Sequence, residues 1–146
     1  MARYSAGVKT STGSTTLPII SLYAGANAGG TLRAVGLTNT SSSAVDLKLV
    51  RLTTTGTQGA GLTEARHNPN SNSTAECAAF TTHSANPTLG DDLGYRWSLG
   101  AAVGAGVIET FGDSGIVVPV GTANGVGVIV ENGSGQAIQA YLVWDE

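Results

Sequence analysis

Short apolar stretches bounded by glycine and asparagine recur about every 8–12 residues along this chain, a spacing that points to strands and tight turns. The alternation is clearest near the end. Val126, Val128 and Val130 share one face of a stretch, and Ile138, Ala140, Leu142 and Trp144 share one face of the next, with Gln139, Tyr141 and Val143 turned the other way. Val45, Leu47 and Leu49 alternate in the same manner with Asp46 and Lys48. Successive strand side chains point to opposite faces, so a period of two marks a half-buried strand. No segment sustains the 3.6-residue period of a helix. The expectation is an all-β, single-domain antiparallel β-sandwich, jelly-roll-like, with about eight or nine strands. Val126, Val128, Val130, Ile138, Leu142 and Trp144 are expected in its core.

Further strands are expected over residues 17–24, where Pro18 falls near the start and tolerates the loss of an N–H, and over residues 31–39. In the latter, Leu32, Ala34, Gly36 and Thr38 are placed on one face. The apolar phase slips at Val50 and Leu52, which suggests a β-bulge or twist near Val50. Residues 53–106 are the least regular, with Pro69 and Pro87 as breakers. Residues 62–66 and 75–80 could be short strands or a helical turn, and residues 95–99 show the best alternation; two or more short strands are expected within this stretch. Strands over 106–111 and 116–120 flank the turn Gly112-Asp113-Ser114-Gly115. Turns are also expected at 121–125, where Asn124-Gly125 is a favoured hairpin pair, and at Asn132-Gly133-Ser134-Gly135. Residues 1–16 are small, polar and without a clear period. They are assigned to an extended N-terminal arm, with residues 17–146 as the β-sandwich domain. Such an arm could reach about 50 Å at roughly 3.3 Å per residue.

The chain has 146 residues, enough for one domain with its own core. Only 12% of residues are charged and the net charge is −3. The basic residues Arg3, Lys9, Arg33, Lys48, Arg51, Arg66 and Arg96 are scattered, whereas a phosphate backbone calls for several cations on one face. Nucleic acid is therefore not expected as a partner. No stretch approaches the roughly 18 apolar residues of a membrane span. The beginning of the sequence carries no apolar segment of the kind a secretory signal has, so folding in a cytoplasm is expected. Cys77 is the one cysteine, which excludes an intrachain disulfide.

No constellation reads as catalytic. Gly112-Asp113-Ser114-Gly115 resembles the nucleophile loop of trypsin-like serine proteases, but Ile116 stands where that motif continues with Gly, and the four residues are ordinary turn formers. His67, Cys77 and His83 do not match a zinc spacing; both histidines are expected on exposed loops, and Cys77 is expected to pack as a small apolar residue. Asp91-Asp92 supplies too few oxygens for calcium and reads as a solvated turn. Gly100, Gly104 and Gly106 lack the Lys-Ser/Thr of a phosphate-binding loop. The Asn39, Asn72 and Asn132 sequons are chance matches in a chain rich in Asn, Ser and Thr. The expectation is a protein that is not an enzyme, with no catalytic, cofactor-binding or metal residues.

Residues 31–41, 47–58, 87–103 and 121–146 resemble a group of small proteins from tailed bacteriophages and bacterial genomes. LKLVRLTTTGT and the terminal VWDE are the most recognisable parts. The resemblance covers most of the chain and implies a small virion protein of the capsid-decorating, or cement, type. Its partners would be the major capsid protein and other copies of itself, as a homotrimer, at the capsid surface after synthesis in the host cytoplasm. No functional residue carries over from the resemblance. The docking contacts are assigned instead to the arm, at Arg3, Tyr4, Val8 and Lys9. The alternative is a phage tail or fibre module that recognises a host glycan through exposed aromatics, for which Tyr95 and Trp97 are the candidates.

Overall fold

The computed structural model describes residues 1–132 and 135–146. Among them the strands are β1 (Arg3–Ser11), β2 (Ile20–Tyr23), β3 (Gly30–Asn39), β4 (Val45–Leu52), β5 (Ala65–Arg66), β6 (Ala78–Phe80), β7 (Leu89–Leu99), β8 (Gly106–Thr110), β9 (Ile116–Val118), β10 (Gly125–Asn132) and β11 (Ile138–Asp145). They form two antiparallel sheets, and no helix occurs among the described residues. Sheet I runs β5-β1-β11-β3-β8, with β9 also paired to β3, and sheet II runs β6-β2-β10-β4-β7. This is the all-β, two-sheet arrangement that the alternation implies.

The core lies between the sheets. Sheet II supplies Ile20, Leu22, Leu47, Leu49, Trp97, Val126, Val128 and Val130. Sheet I supplies Tyr4, Ala6, Leu32, Val35, Leu37, Ile138, Ala140, Leu142 and Trp144. The six core residues expected from the sequence are all at most 2% exposed. A second, smaller cluster of Tyr23, Val50, Leu52 and Ile129 packs on the outer face of sheet II. It accounts for the phase slip at Val50. The β4–β10 register runs without interruption from Leu47 to Leu52, so β4 does not bulge there; instead its far end is covered on both faces. The irregularity beside Val50 belongs to β7, where Leu93, Gly94 and Tyr95 lie between the partners of Val50 and Lys48. Gly94 takes φ +81°, a conformation that disfavours any side chain.

Several expectations are corrected. Residues 3–11 of the segment assigned to an arm form a sheet strand. β1 lies between β5 and β11, and Tyr4 and Ala6 are buried. The physical reason is an alternation of small residues, with Tyr4, Ala6 and Val8 turned inward while Ser5, Gly7 and Lys9 face out. On β3 the outward set is Ala34, Gly36 and Thr38, but Leu32 is in the core. The β3–β11 register skips Arg33, and that extra residue flips the phase. The turn at Asn124-Gly125 is not a hairpin, because β9 belongs to sheet I and β10 to sheet II. Gly133 and Ser134 of the expected turn at 132–135 lie outside the described residues.

Candidate functional site

A dense polar construction is built by Trp144-Asp145-Glu146. Trp144 is fully buried and stacks on Tyr4, with ring centroids 6.0 Å apart. Its indole Nε1 donates to Glu146 Oε1 at 2.8 Å, and that carboxylate also accepts the backbone N–H groups of Glu76 (2.7 Å) and Cys77 (2.9 Å). Asp145 accepts from Arg3 Nε at 2.7 Å and Nη2 at 3.0 Å, and from Arg33 Nε at 2.7 Å. The hydrogen bonds from Arg3, with Arg33 behind them, hold the Asp145 carboxyl below the usual carboxylate range despite partial burial. Arg33 is the skipped residue of β3. Its guanidinium continues to the carbonyls of Gly112 and Asp113, and so ties the Gly112–Gly115 turn to the end of β11.

Of the residues assigned to docking, Arg3 is committed to Asp145. Tyr4 is core and donates its hydroxyl to Ser73 Oγ at 2.8 Å. Val8 packs partly against the core, and Lys9 is exposed on the outer face of β1. They do not form one surface. Next to Arg3 lies a half-open pocket of about 530 Å³, lined by Arg66, His67, Asn68, Ser71 and Ser73 among others. Arg66 is turned onto the carbonyls of Ser71 and Ser73.

Ser114 is exposed in its turn. Cys77 is buried, and burial with the nearby Glu146 carboxylate pushes its thiol up to about 12, so it has little thiolate character. Asp92 sits in β7 and not in a free turn. Its Oδ1 accepts the Gly94 N–H at 2.8 Å, which pins the bulge and lowers the carboxyl pKa. Asp92 and Glu131 both pair with Lys48 and Arg96, closing a four-charge ring across β7, β4 and β10. Asn39 is fully buried, with its amide bonded to the carbonyls of Ser43 and Gly100 and its oxygen to Ser41, so the sequon there is closed to a glycan. Among the described residues no three His, Cys, Asp or Glu side chains gather as a metal site.

His83 departs most from its expected place. It is 2% exposed, with Nε2 2.9 Å from Ser21 Oγ. No sequence signal marks it, because it lies in an irregular stretch and its partner is 62 residues away. Trp97 is in the core. Tyr95, 36% exposed, meets Phe111 edge-on at 4.8 Å.

The outer face of sheet I is broad, and its charges are Lys9 and, at one end, the Arg3–Asp145 pair. Ser5, Gly7 and Lys9 of β1, Gln139, Tyr141 and Val143 of β11, Ala34, Gly36 and Thr38 of β3, and Ile108 of β8 share it by register. The Tyr141 ring lies over Gly36, where a Cβ would fall within 2.6 Å of three ring atoms, and Ile108 beyond it is 68% exposed. The outer face of sheet II is instead covered by chain at one end and by the charge ring at the other.

Comparison with protein-family models, with curated proteins and with solved structures finds no match.

Proposed function

We propose that this chain is a structural protein of a tailed-bacteriophage virion, a jelly roll that binds the outside of the capsid and stabilises or decorates it. The observation that carries this reading is the order of the strands. The eight main strands form four antiparallel pairs, β1–β11, β2–β10, β3–β8 and β4–β7. Successive pairs alternate between the sheets, giving β1-β11-β3-β8 in one and β2-β10-β4-β7 in the other. A long two-stranded ribbon wrapped into a barrel-like sandwich has this order, and viral capsid domains use it. The short strands β5, β6 and β9 are additions at the sheet edges.

The surface suits the role. Sheet I presents a face of mostly uncharged side chains, with Lys9 and the Arg3–Asp145 pair as charges. Such a face can lie on a protein lattice with few ions to desolvate, and many weak contacts then add up over a symmetric shell. The partners in this reading are the major capsid protein and further copies of this chain as a homotrimer, with neither nucleic acid nor membrane involved and no reaction catalysed. Its place is the capsid surface, after synthesis in the host cytoplasm. Glycan recognition by a tail or fibre module is the weaker reading, because Trp97 is buried and Tyr95 is packed on Phe111.

Co-sedimentation with capsid shells stripped of accessory proteins tests the proposal. The expected result is saturable binding at a fixed ratio to the major capsid protein, little changed by salt because the contacts are not ionic. Light scattering should give three times the chain mass. Absence of sedimentation with shells, together with retention on a host-glycan array, would move the protein to the tail.

A further inference from the structure

Two stretches of chain, residues 53–58 and 81–88, lie over the outer face of sheet II and pair with each other. The Ser84 N–H donates to the Thr57 carbonyl at 2.9 Å, and the Thr53 N–H to the Thr88 carbonyl at 3.0 Å. Beneath them is the apolar cluster of Tyr23, Val50, Leu52 and Ile129, separate from the main core. His83 fixes one arm of this cover to β2. Its Nε2 is 2.9 Å from Ser21 Oγ, and its ring lies 5.8 Å from that of Tyr23. Its Nδ1 is buried and makes no hydrogen bond of normal geometry. The groups that face the ring are the Ser21 hydroxyl and the Tyr23 ring from β2 and the Thr55 backbone from the cover; among the described residues no charged side chain shifts its titration. Tyr23 is itself held neutral by burial, and its hydroxyl donates to the Thr54 carbonyl at 3.0 Å.

We propose that residues 53–58 and 81–88 form a strap released by acid: neutral His83 bolts it to Ser21, and a proton on the imidazole lets it lift and bare the Tyr23–Val50–Leu52–Ile129 cluster. The inference is independent of the virion role. A cationic ring at this site would be buried with a hydroxyl and a peptide group for company, and an unpaired buried charge is costly. Burial accordingly lowers the His83 pKa, and the Thr55 backbone only partly offsets it. The sign follows from linkage. A lifted strap leaves the imidazole near its ordinary value of 6.5, so acid favours the lifted form as pH falls below that value. Other ties, among them Thr82 to Ser11 and to the Thr12 carbonyl, Thr16 to Asn86 and Tyr23 to Thr54, do not titrate in this range.

Amide hydrogen exchange of the full chain, corrected for the intrinsic rate, tests this at about pH 7.5 and about pH 5.5. One proton taken up on opening can raise the open fraction by up to about tenfold over that interval. Wild-type amides of residues 53–58 and 81–88 should therefore exchange about three- to tenfold faster at the lower pH, while those of β10 and β11 stay unchanged. His67→Ala, which alters the chain's other histidine, should keep the step. His83→Gln should abolish it, whether its strap rests closed or open. No step in the wild type, loss of the step in His67→Ala, or its survival in His83→Gln would each overturn the proposal.

Discussion

Asp145 shows how much a single side chain can organise here. One carboxylate, 6% exposed, holds Arg3 from β1 and Arg33 from the irregular point of β3. Asp145→Asn leaves two guanidinium groups facing a neutral amide. Hydrogen bonds to charged groups contribute about 1.5–3 kcal/mol each, so the expected loss is about 2–4 kcal/mol by urea denaturation, moderated because Arg3 keeps contact with water. The pH dependence has the sign of a depressed carboxyl. This stabilisation is present above the ordinary value of 3.8 and is lost as pH falls through the lowered value in the folded state. In Asp145→Asn the acid limb of the stability curve should be shallower. Tyr4 and Lys9, five residues apart, behave oppositely. Tyr4→Ala should cost about 3–5 kcal/mol, since it removes a buried aromatic stacked on Trp144. Lys9→Ala on the exposed face should stay within about 0.5 kcal/mol. Equal effects of the two in thermal melts would contradict the placement of β1.

At the scale of elements, most strands were legible in the sequence, and the one that was missed outright is β1. Val126 to Val130 and Ile138 to Trp144 announce β10 and β11 because every inward position but Ala140 is bulky. β1 keeps the same alternation with Ala6 as its second inward residue and Gly7 and Ser5 outside, and so reads as a polar tail. Its partners are also remote, since Arg3 pairs with Asp145 at the other end of the chain. The phase of β3 was illegible for a local reason. Arg33 is skipped by the register, and nothing in Leu32-Arg33-Ala34 marks the skip except that Arg33 later proves bonded to Asp145 and to the Gly112–Gly115 turn. His83 and its bond to Ser21 were hidden likewise, because a side-chain pair that distant leaves no periodic trace. The placement of β1 yields a direct prediction. Deleting residues 2–14 should abolish cooperative unfolding and near-UV circular dichroism, because the deletion takes Tyr4 and Ala6 out of the core and unpairs one flank of β11. A deleted chain that still melts cooperatively near the wild-type temperature would mean that β1 contributes little to the sandwich.

For the whole molecule, the distribution of charge matters more than its sum. The ring of Lys48, Asp92, Arg96 and Glu131 neutralises itself on the outer face of sheet II, and Arg3, Arg33 and Asp145 are bound up at one end of the strands. Apart from the group around Asp145, the described strand residues on the broad outer face of sheet I carry a charge at Lys9. That division favours one face for a lattice and the other for the chain's own cover, and it turns the decoration proposal into a question about where the protein sits. The most direct measurement is imaging of purified phage particles that carry this chain beside particles from which its gene is deleted. A capsid decoration protein predicts extra density repeated over the outer surface of the head, present in the first set and missing from the second, with tails identical in both. Heads that match in the two sets, with the difference confined to the tail or absent altogether, would contradict it.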